Sequence, residues 1–155
     1  MIPFSYYAEK FIDYISIEKN YSPYTVSNYK ADLREFENFI QSGEKKDLKN
    51  IDYFILRKFL SNLSEKKLGR KTLSRKISTL KSFFKFLMRE GVIKNNPASS
   101  LIYPRLERQL PKFLTEGEVQ KILELPRKND LWDLRDKAIL EFLYSTGARV
   151  SEMVS

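Results

Sequence analysis

The chain contains no cysteine and no histidine. The first absence excludes disulfides and thiolate-bound metal, and it fits a cytoplasmic protein. The second removes the commonest general base and the commonest metal ligand, so catalysis by this chain alone would need unusual parts. No apolar run approaches the roughly 18 residues of a membrane span, and no membrane segment is expected. The opening MIPFSYYAEKF has no basic n-region and no small-residue cleavage site, so it does not read as a signal peptide. No segment alternates convincingly as a strand. Internal repeats and low-complexity tracts are also missing.

What is present is apolar residue enough for a core, and an uneven basic charge. The hydrophobic fraction is 42% and the formal net charge is +8. Residues 1–105 carry 20 Lys and Arg against 11 Asp and Glu, a net of +9, whereas residues 106–155 carry 8 against 9. Between Lys66 and Lys94 there are ten basic residues and one acid, Glu90. A basic excess gathered in one segment is the electrostatic footprint of a nucleic-acid binder. A solvated lysine-rich surface would give the same count.

The stretch NNPASSLIYPRLERQLPKFLT, residues 95–115, carries Pro97, Pro104 and Pro111 and keeps no period. It reads as a linker. Domain boundaries follow at 1–94, 95–112 and 113–155. Four helices are predicted before it. The first spans about Phe4 to Lys19, with Tyr7, Phe11 and Ile15 or Tyr14 on one face. The second opens at Ser22-Pro23, a cap followed by proline, and Gly43 ends it. The third starts after Asp52 and runs until Gly69, and the fourth runs from about Lys71 to Glu90, stopped by Gly91.

The fourth helix is the most informative. Leu73, Ile77, Leu80, Phe84 and Leu87 form a core stripe. Opposite them lie Lys71, Ser74, Arg75, Ser78, Lys81, Ser82, Lys85 and Arg89, a face of cations and hydroxyls without an acid. A face that only had to be soluble would usually mix in glutamates for i,i+4 pairing. Short hydroxyls let a helix approach DNA closely, and arginine can bond guanine bidentately. Beyond the linker, Thr115 to Glu118 form a capping box that opens a helix to about Leu125. A second helix, about Leu131 to Ser145, is apolar on much of its circumference and suits the interior of a larger domain. Gly147 closes it, and ARVSE begins another element.

These segments resemble, in order, the N-terminal half of a tyrosine site-specific recombinase, close to the Xer recombinases and phage-type integrases. SPYTVSNYKADLREFENFI is similar to the family's second helix. TLSRKISTLKSFFKFLMREGVIKNNPASSLIYPR is similar to its fourth helix, Asn-Pro turn and linker. LPKFLTEGEVQKIL resembles the entry to the catalytic domain, and RDKAILEFLYSTGARVSEMVS the segment with the first catalytic arginine.

The resemblance implies an all-α protein: a small four-helix, SAM-like core-binding domain followed by the first helices of an incomplete catalytic domain. It makes Arg149 the arginine that grips the scissile phosphate and Glu152 its supporting acid. The types suit the chemistry, because a guanidinium can bond two non-bridging oxygens as charge builds on them. It implies a clamp on duplex DNA, with the second and fourth helices approaching it. Thr25, Asn28 and Lys30 on the second helix, and Lys71, Arg75, Ser78 and Lys81 on the fourth, are the candidate contacts. Other recombinase protomers on DNA are implied partners. No metal and no cofactor are implied, since a covalent phosphotyrosine keeps the bond energy.

The family's lysine, His-x-x-Arg motif and tyrosine nucleophile all follow this arginine. The last tyrosine here is Tyr144, on its other side, so no nucleophile is assigned and the chain is expected to be inactive alone. It reads as an N-terminal piece of the enzyme whose residues 113–155 would self-associate. Two other readings stay open: a stand-alone helical DNA-binding module, and a helical module whose basic face binds an acidic protein.

Overall fold

The computed structural model describes residues 3–42, 48–105, 113–126 and 130–155. Among the described residues there are helices and no strands: α1 (Phe4–Asp13), α2 (Pro23–Gln41), α3 (Tyr53–Glu65), α4 (Arg70–Arg89), α5 (Glu116–Leu123), α6 (Leu131–Thr146) and α7 (Val150–Met153). The chain divides into two compact units, Met1–Glu107 and Arg108–Ser155.

In the first unit local chemistry sets the helix ends. The Ser22 hydroxyl accepts from Thr25 N at 3.3 Å, with Pro23 as the first residue of α2. The Asp52 carboxylate accepts from Ile55 N at 2.9 Å and opens α3. Gly91 takes a left-handed φ of 70° just past α4, where a side chain would be strained. Gly43, the expected stop of α2, lies outside the described residues; α2 ends at Gln41. The first predicted helix is one α-helix that widens into a π turn, Tyr14–Glu18, with Lys19 N bonded to Tyr14 O at 3.1 Å. The third stops at Glu65, short of Gly69, because Lys67 turns to a φ of 55° and Gly69 is already the extended residue before α4. A short 3-10 turn, Leu48–Asn50, was not legible in the sequence and buries Leu48.

The core of this unit is aromatic. Phe11, Phe36, Phe59, Phe83 and Phe84 are all fully buried. Their rings meet edge-on or tilted, Phe36 with Phe59 at 5.0 Å and Phe11 with Phe83 at 5.5 Å. The predicted α4 stripe is buried at Ile77, Leu80, Phe84 and Leu87, and half-buried at Leu73. α4 is covered more widely than the stripe implies, since Lys76, Thr79, Phe83 and Phe86 are buried too. It is the central helix of the unit.

The first part of the predicted linker is also packed here. Ala98 and Leu101 join the core, and Asn96 caps its own turn by accepting from Ala98 N at 2.8 Å. Proline removed the helical period from the sequence without removing the apolar anchors.

In the second unit Thr115 and Glu118 form the predicted capping box, Glu118 Oε2 accepting from Thr115 N at 2.8 Å. Asp130 caps α6 through Asp133 N at 2.8 Å. Gly147, at φ 66°, ends α6 as the spacing predicts. None of α5, α6 and α7 contains a buried residue.

Candidate nucleic-acid interface

The outward arc of α4 begins at Lys71 and ends at Lys85, both exposed. Ser78, Lys81 and Ser82 between them are half-exposed. On one side the arc is bordered by α2. There the Tyr29 phenol is pushed above its ordinary range by burial, opposed by a bond with Ser82. On the other side it is bordered by residues 96–105. Tyr103 places its ring 4.8 Å from Lys81 Nζ, and its hydroxyl lies 3.4 Å from Ser78 Oγ. Tyr103 is therefore part of this face. The sequence reading passed over it, because a lone tyrosine before Pro104 has no period to place it.

Arg75 sits at the α2 border and is bonded inward. Its Nη1 donates to the Asp32 carboxylate and, at 3.3 Å, to the carbonyl of Asn28. Asp32 is almost completely buried, and also accepts from Lys76 Nζ at 2.7 Å and from Thr79 Oγ1 at 2.9 Å. Glu35, one turn along α2, takes the other side of Lys76 at 2.7 Å and Lys66 at 3.3 Å. Burial would raise the Glu35 carboxyl, but the bonds from Lys76 and then Lys66 outweigh it and hold the group below the usual range. The effect on the surface is simple. The two nearby acids of α2 are turned onto cations, and neither Asp32 nor Glu35 interrupts the basic arc.

The α2 candidates divide. Asn28 is joined to α4 through its carbonyl, which accepts from Arg75, and Thr25 stands three residues before it; each side chain is in a local bond, Thr25 with Ser22 Oγ at 2.9 Å and Asn28 Nδ2 to Tyr24 O at 2.9 Å. Lys30 is not brought to this face. It lines a groove of about 420 Å³ between α1 and α2, with Glu9, Asp13, Arg34 and Glu37. Lys30 and Asn28 are two residues apart, which puts them on widely separated faces of a helix.

In the second unit Thr146 and Gly147 end α6 and the chain restarts at Arg149. The Arg149 backbone is extended and its carbonyl accepts from Glu152 N at 2.9 Å. Glu152 answers with both oxygens: Oε2 accepts from Arg149 N at 2.8 Å and Oε1 from Arg149 Nη1 at 2.9 Å. The backbone N–H and then the guanidinium hold the Glu152 carboxyl below its usual range. The Arg149 side chain is 81% exposed, so the rest of its donors face solvent. The sequence-predicted pair is thus brought into direct contact.

The family model for the phage integrase N-terminal SAM-like domain matches residues 8–91. The chain belongs to that family. Tyrosine recombinases named XerC are similar over nearly the whole chain. One from Oceanobacillus iheyensis is 44% identical over 146 residues, covering 94% of this chain and 48% of the relative. One from Bacillus licheniformis is 43% identical over 145 residues, covering 94% and 48%. One from Bacillus subtilis is 42% identical over 149 residues, covering 96% and 49%. The chain spans about half the length of these curated relatives. The SAM-like match spans from within α1 to the end of α4, the helix that carries the basic arc, and the all-α, Xer-like reading of the sequence is met by both the fold and the relatives. No helix among the described residues is long and apolar enough to cross a membrane.

Proposed function

We infer that this chain is the DNA-binding portion of a Xer-like tyrosine recombinase, acting on duplex DNA in the cytoplasm together with other protomers. The first unit holds DNA through the outward arc of α4 and the adjoining end of α2. Lys71 and Lys81 neutralise phosphates, Ser78 bonds phosphate oxygens at close approach, Arg75 reads a base edge or phosphate, and Thr25 and Asn28 flank it. Lys30, on the other flank of α2, contributes only long-range attraction. The observation that carries this reading is the acid-free basic arc, with Asp32 and Glu35 drawn inward onto Arg75, Lys66 and Lys76. The same observation counts against a merely solvated lysine face, in which acids and bases would alternate outward.

Arg149 is the proposed phosphate-gripping arginine and Glu152 its support. In strand cleavage a tyrosine oxygen attacks the phosphodiester, and negative charge grows on the non-bridging oxygens. A guanidinium held at Nη1 by Glu152 keeps its other donors for those oxygens. No tyrosine of this chain is assigned the attack, so the chain alone is expected to form no covalent adduct with nicked duplex DNA. In a longer recombinase containing this sequence, Arg149→Ala should slow cleavage about 100-fold or more while DNA binding persists. Near-normal cleavage by that variant would reassign the arginine.

The test of the central reading is a titration of a short labelled duplex. Binding should be clear at low salt and fall steeply as salt rises, with a log–log slope of about −0.9 per phosphate neutralised. A folded chain that ignores duplex DNA at low salt would sink the reading. Binding with no cleavage by any longer form would favour a stand-alone module that occupies recombination sites.

A further inference from the structure

We propose that Asp32 is a positioning residue for DNA recognition: it anchors one arm of Arg75 so that the other edge of the guanidinium is presented to the duplex. This rests on the DNA-binding reading above. Both bonds that Arg75 makes inside the protein come from Nη1, to Asp32 Oδ2 and to the Asn28 carbonyl. Among the described residues its Nε and Nη2 have no bond, and about a third of the side chain is exposed. A guanidinium is planar, so tying one nitrogen to two acceptors on α2 restrains the whole plane. The edge left over carries the paired donors that match two phosphate oxygens or the two acceptors of guanine.

The anchor is itself held. Asp32 is 3% exposed, and Thr79 Oγ1 donates to the same oxygen, Oδ2, at 2.9 Å. Lys76 occupies Oδ1 at 2.7 Å. The carboxylate therefore cannot turn to follow the arginine; the arginine must follow it. The charges also balance in a useful way. Lys66, Arg75 and Lys76 face Asp32 and Glu35, three cations against two carboxylates. Buried Lys76 is neutralised between the two acids, and one positive charge is left over, shared between Lys66 and the arginine edge. A mere clamp between helices would have no need for that surplus at the surface.

The decisive measurement is a double-mutant cycle on duplex affinity at one salt concentration, using the full chain and a short labelled duplex. Asp32→Asn removes a negative charge, so bulk electrostatics alone would tighten DNA binding. Positioning predicts the opposite sign, a loss of about tenfold. In an Arg75→Lys background, which keeps the charge and removes the planar fork, Asp32→Asn should cost nothing further. Unchanged or tighter binding by folded Asp32→Asn overturns the proposal. An equal loss in both backgrounds also overturns it, because that is the signature of a general structural role. Should Asp32→Asn fail to fold by circular dichroism, Thr79→Val keeps the volume and removes the second donor on Oδ2, leaving only Arg75 there. It should weaken binding about threefold with Arg75 and not at all with Lys at that position, and unchanged binding by folded Thr79→Val would likewise overturn it. If the unmodified chain does not bind duplex DNA at low salt, the DNA-binding reading falls and takes this proposal with it. If it binds with the expected salt dependence and the cycle is flat, the positioning role alone is wrong.

Discussion

Each compact unit contains a carboxylate that holds Nη1 of an arginine, and the two pairs differ in everything around them. Asp32 is 3% exposed and joins α2 to α4, residues far apart in sequence. Glu152 is about half exposed and reaches back only three residues to Arg149. The first pair needs a folded core to exist. The second is built from one turn of chain and forms wherever that turn forms. The same contrast runs through the packing. The first unit buries a set of phenylalanines from four helices, whereas α6 leaves Leu131 84%, Trp132 67% and Tyr144 62% exposed. One unit has a completed core of its own, and the other has capped helices with apolar sides unburied.

The largest test of this contrast is a matched pair of core deletions. Phe36→Ala should destabilise the first unit by about 3–5 kcal/mol, since the ring is fully buried against three others. Phe142→Ala should cost far less in the monomeric chain, because that side chain is 47% exposed. Far-UV circular dichroism in denaturant is dominated by helices α1 to α4 of the first unit, and Trp132, the single tryptophan, reports on the second by fluorescence. Equal losses at both positions would mean that the second unit is as closed as the first.

The fold was legible where one physical requirement dominated. Ser22-Pro23, Asp52, Thr115 with Glu118, and Gly147 each satisfy orphan helix-end groups or a left-handed φ, and each stands where the sequence places it. The core stripe of α4 followed its period. The site was less legible, because it depends on pairs between helices. A list of outward residues on one helix cannot show that Arg75 is met by Asp32 from α2, nor that Tyr103 returns to lie on Ser78 and Lys81. Lys30 shows the converse: outward on the helix is not outward on the same face as Asn28, and Lys30 lines the groove between α1 and α2. The Arg149–Glu152 pair came from the family resemblance, and the structure adds the local geometry that joins them, one turn at the start of α7.

A smaller effect concerns what covers α6. Full burial of a large apolar side chain is worth about 1.5–3 kcal/mol, so exposed Leu131, Leu134 and Phe142 favour association. We expect the chain to self-associate through residues 113–155 as concentration rises, with Trp132 emission moving to shorter wavelength. Leu134→Lys should return light scattering to the monomer value and reverse the emission shift, leaving the first unit's melting unchanged. A chain that stays monomeric at high concentration, with the second unit as protease-resistant as the first, would show that α6 is satisfied without a second copy.

The smallest expected effect separates the two units by pH. Glu35, Glu118 and Glu152 all have carboxyls held below the usual range, for different reasons. Glu35 is lowered by lysines from α4 and the end of α3, against the opposing pull of burial. Glu118 and Glu152 are lowered first by backbone N–H groups at their own helix starts and then by the side chains of Thr115 and Arg149. A carboxyl lowered in the folded state stabilises the fold above its unfolded pKa. That contribution is lost as pH falls through the lower folded value. For Glu35 the stabilisation belongs to the tertiary fold, so the first unit's melting temperature should fall as the pH drops below the ordinary glutamate range near 4.5. Glu35→Gln should remove part of that slope and cost about 1 kcal/mol or less at neutral pH, the usual worth of a pair one-third open to solvent. Glu118→Gln should leave the same melting curve untouched and shorten only α5, read by amide exchange at Glu118 and Val119. An acid slope unaltered by Glu35→Gln would mean that Glu35 does not carry the acid sensitivity of the first unit.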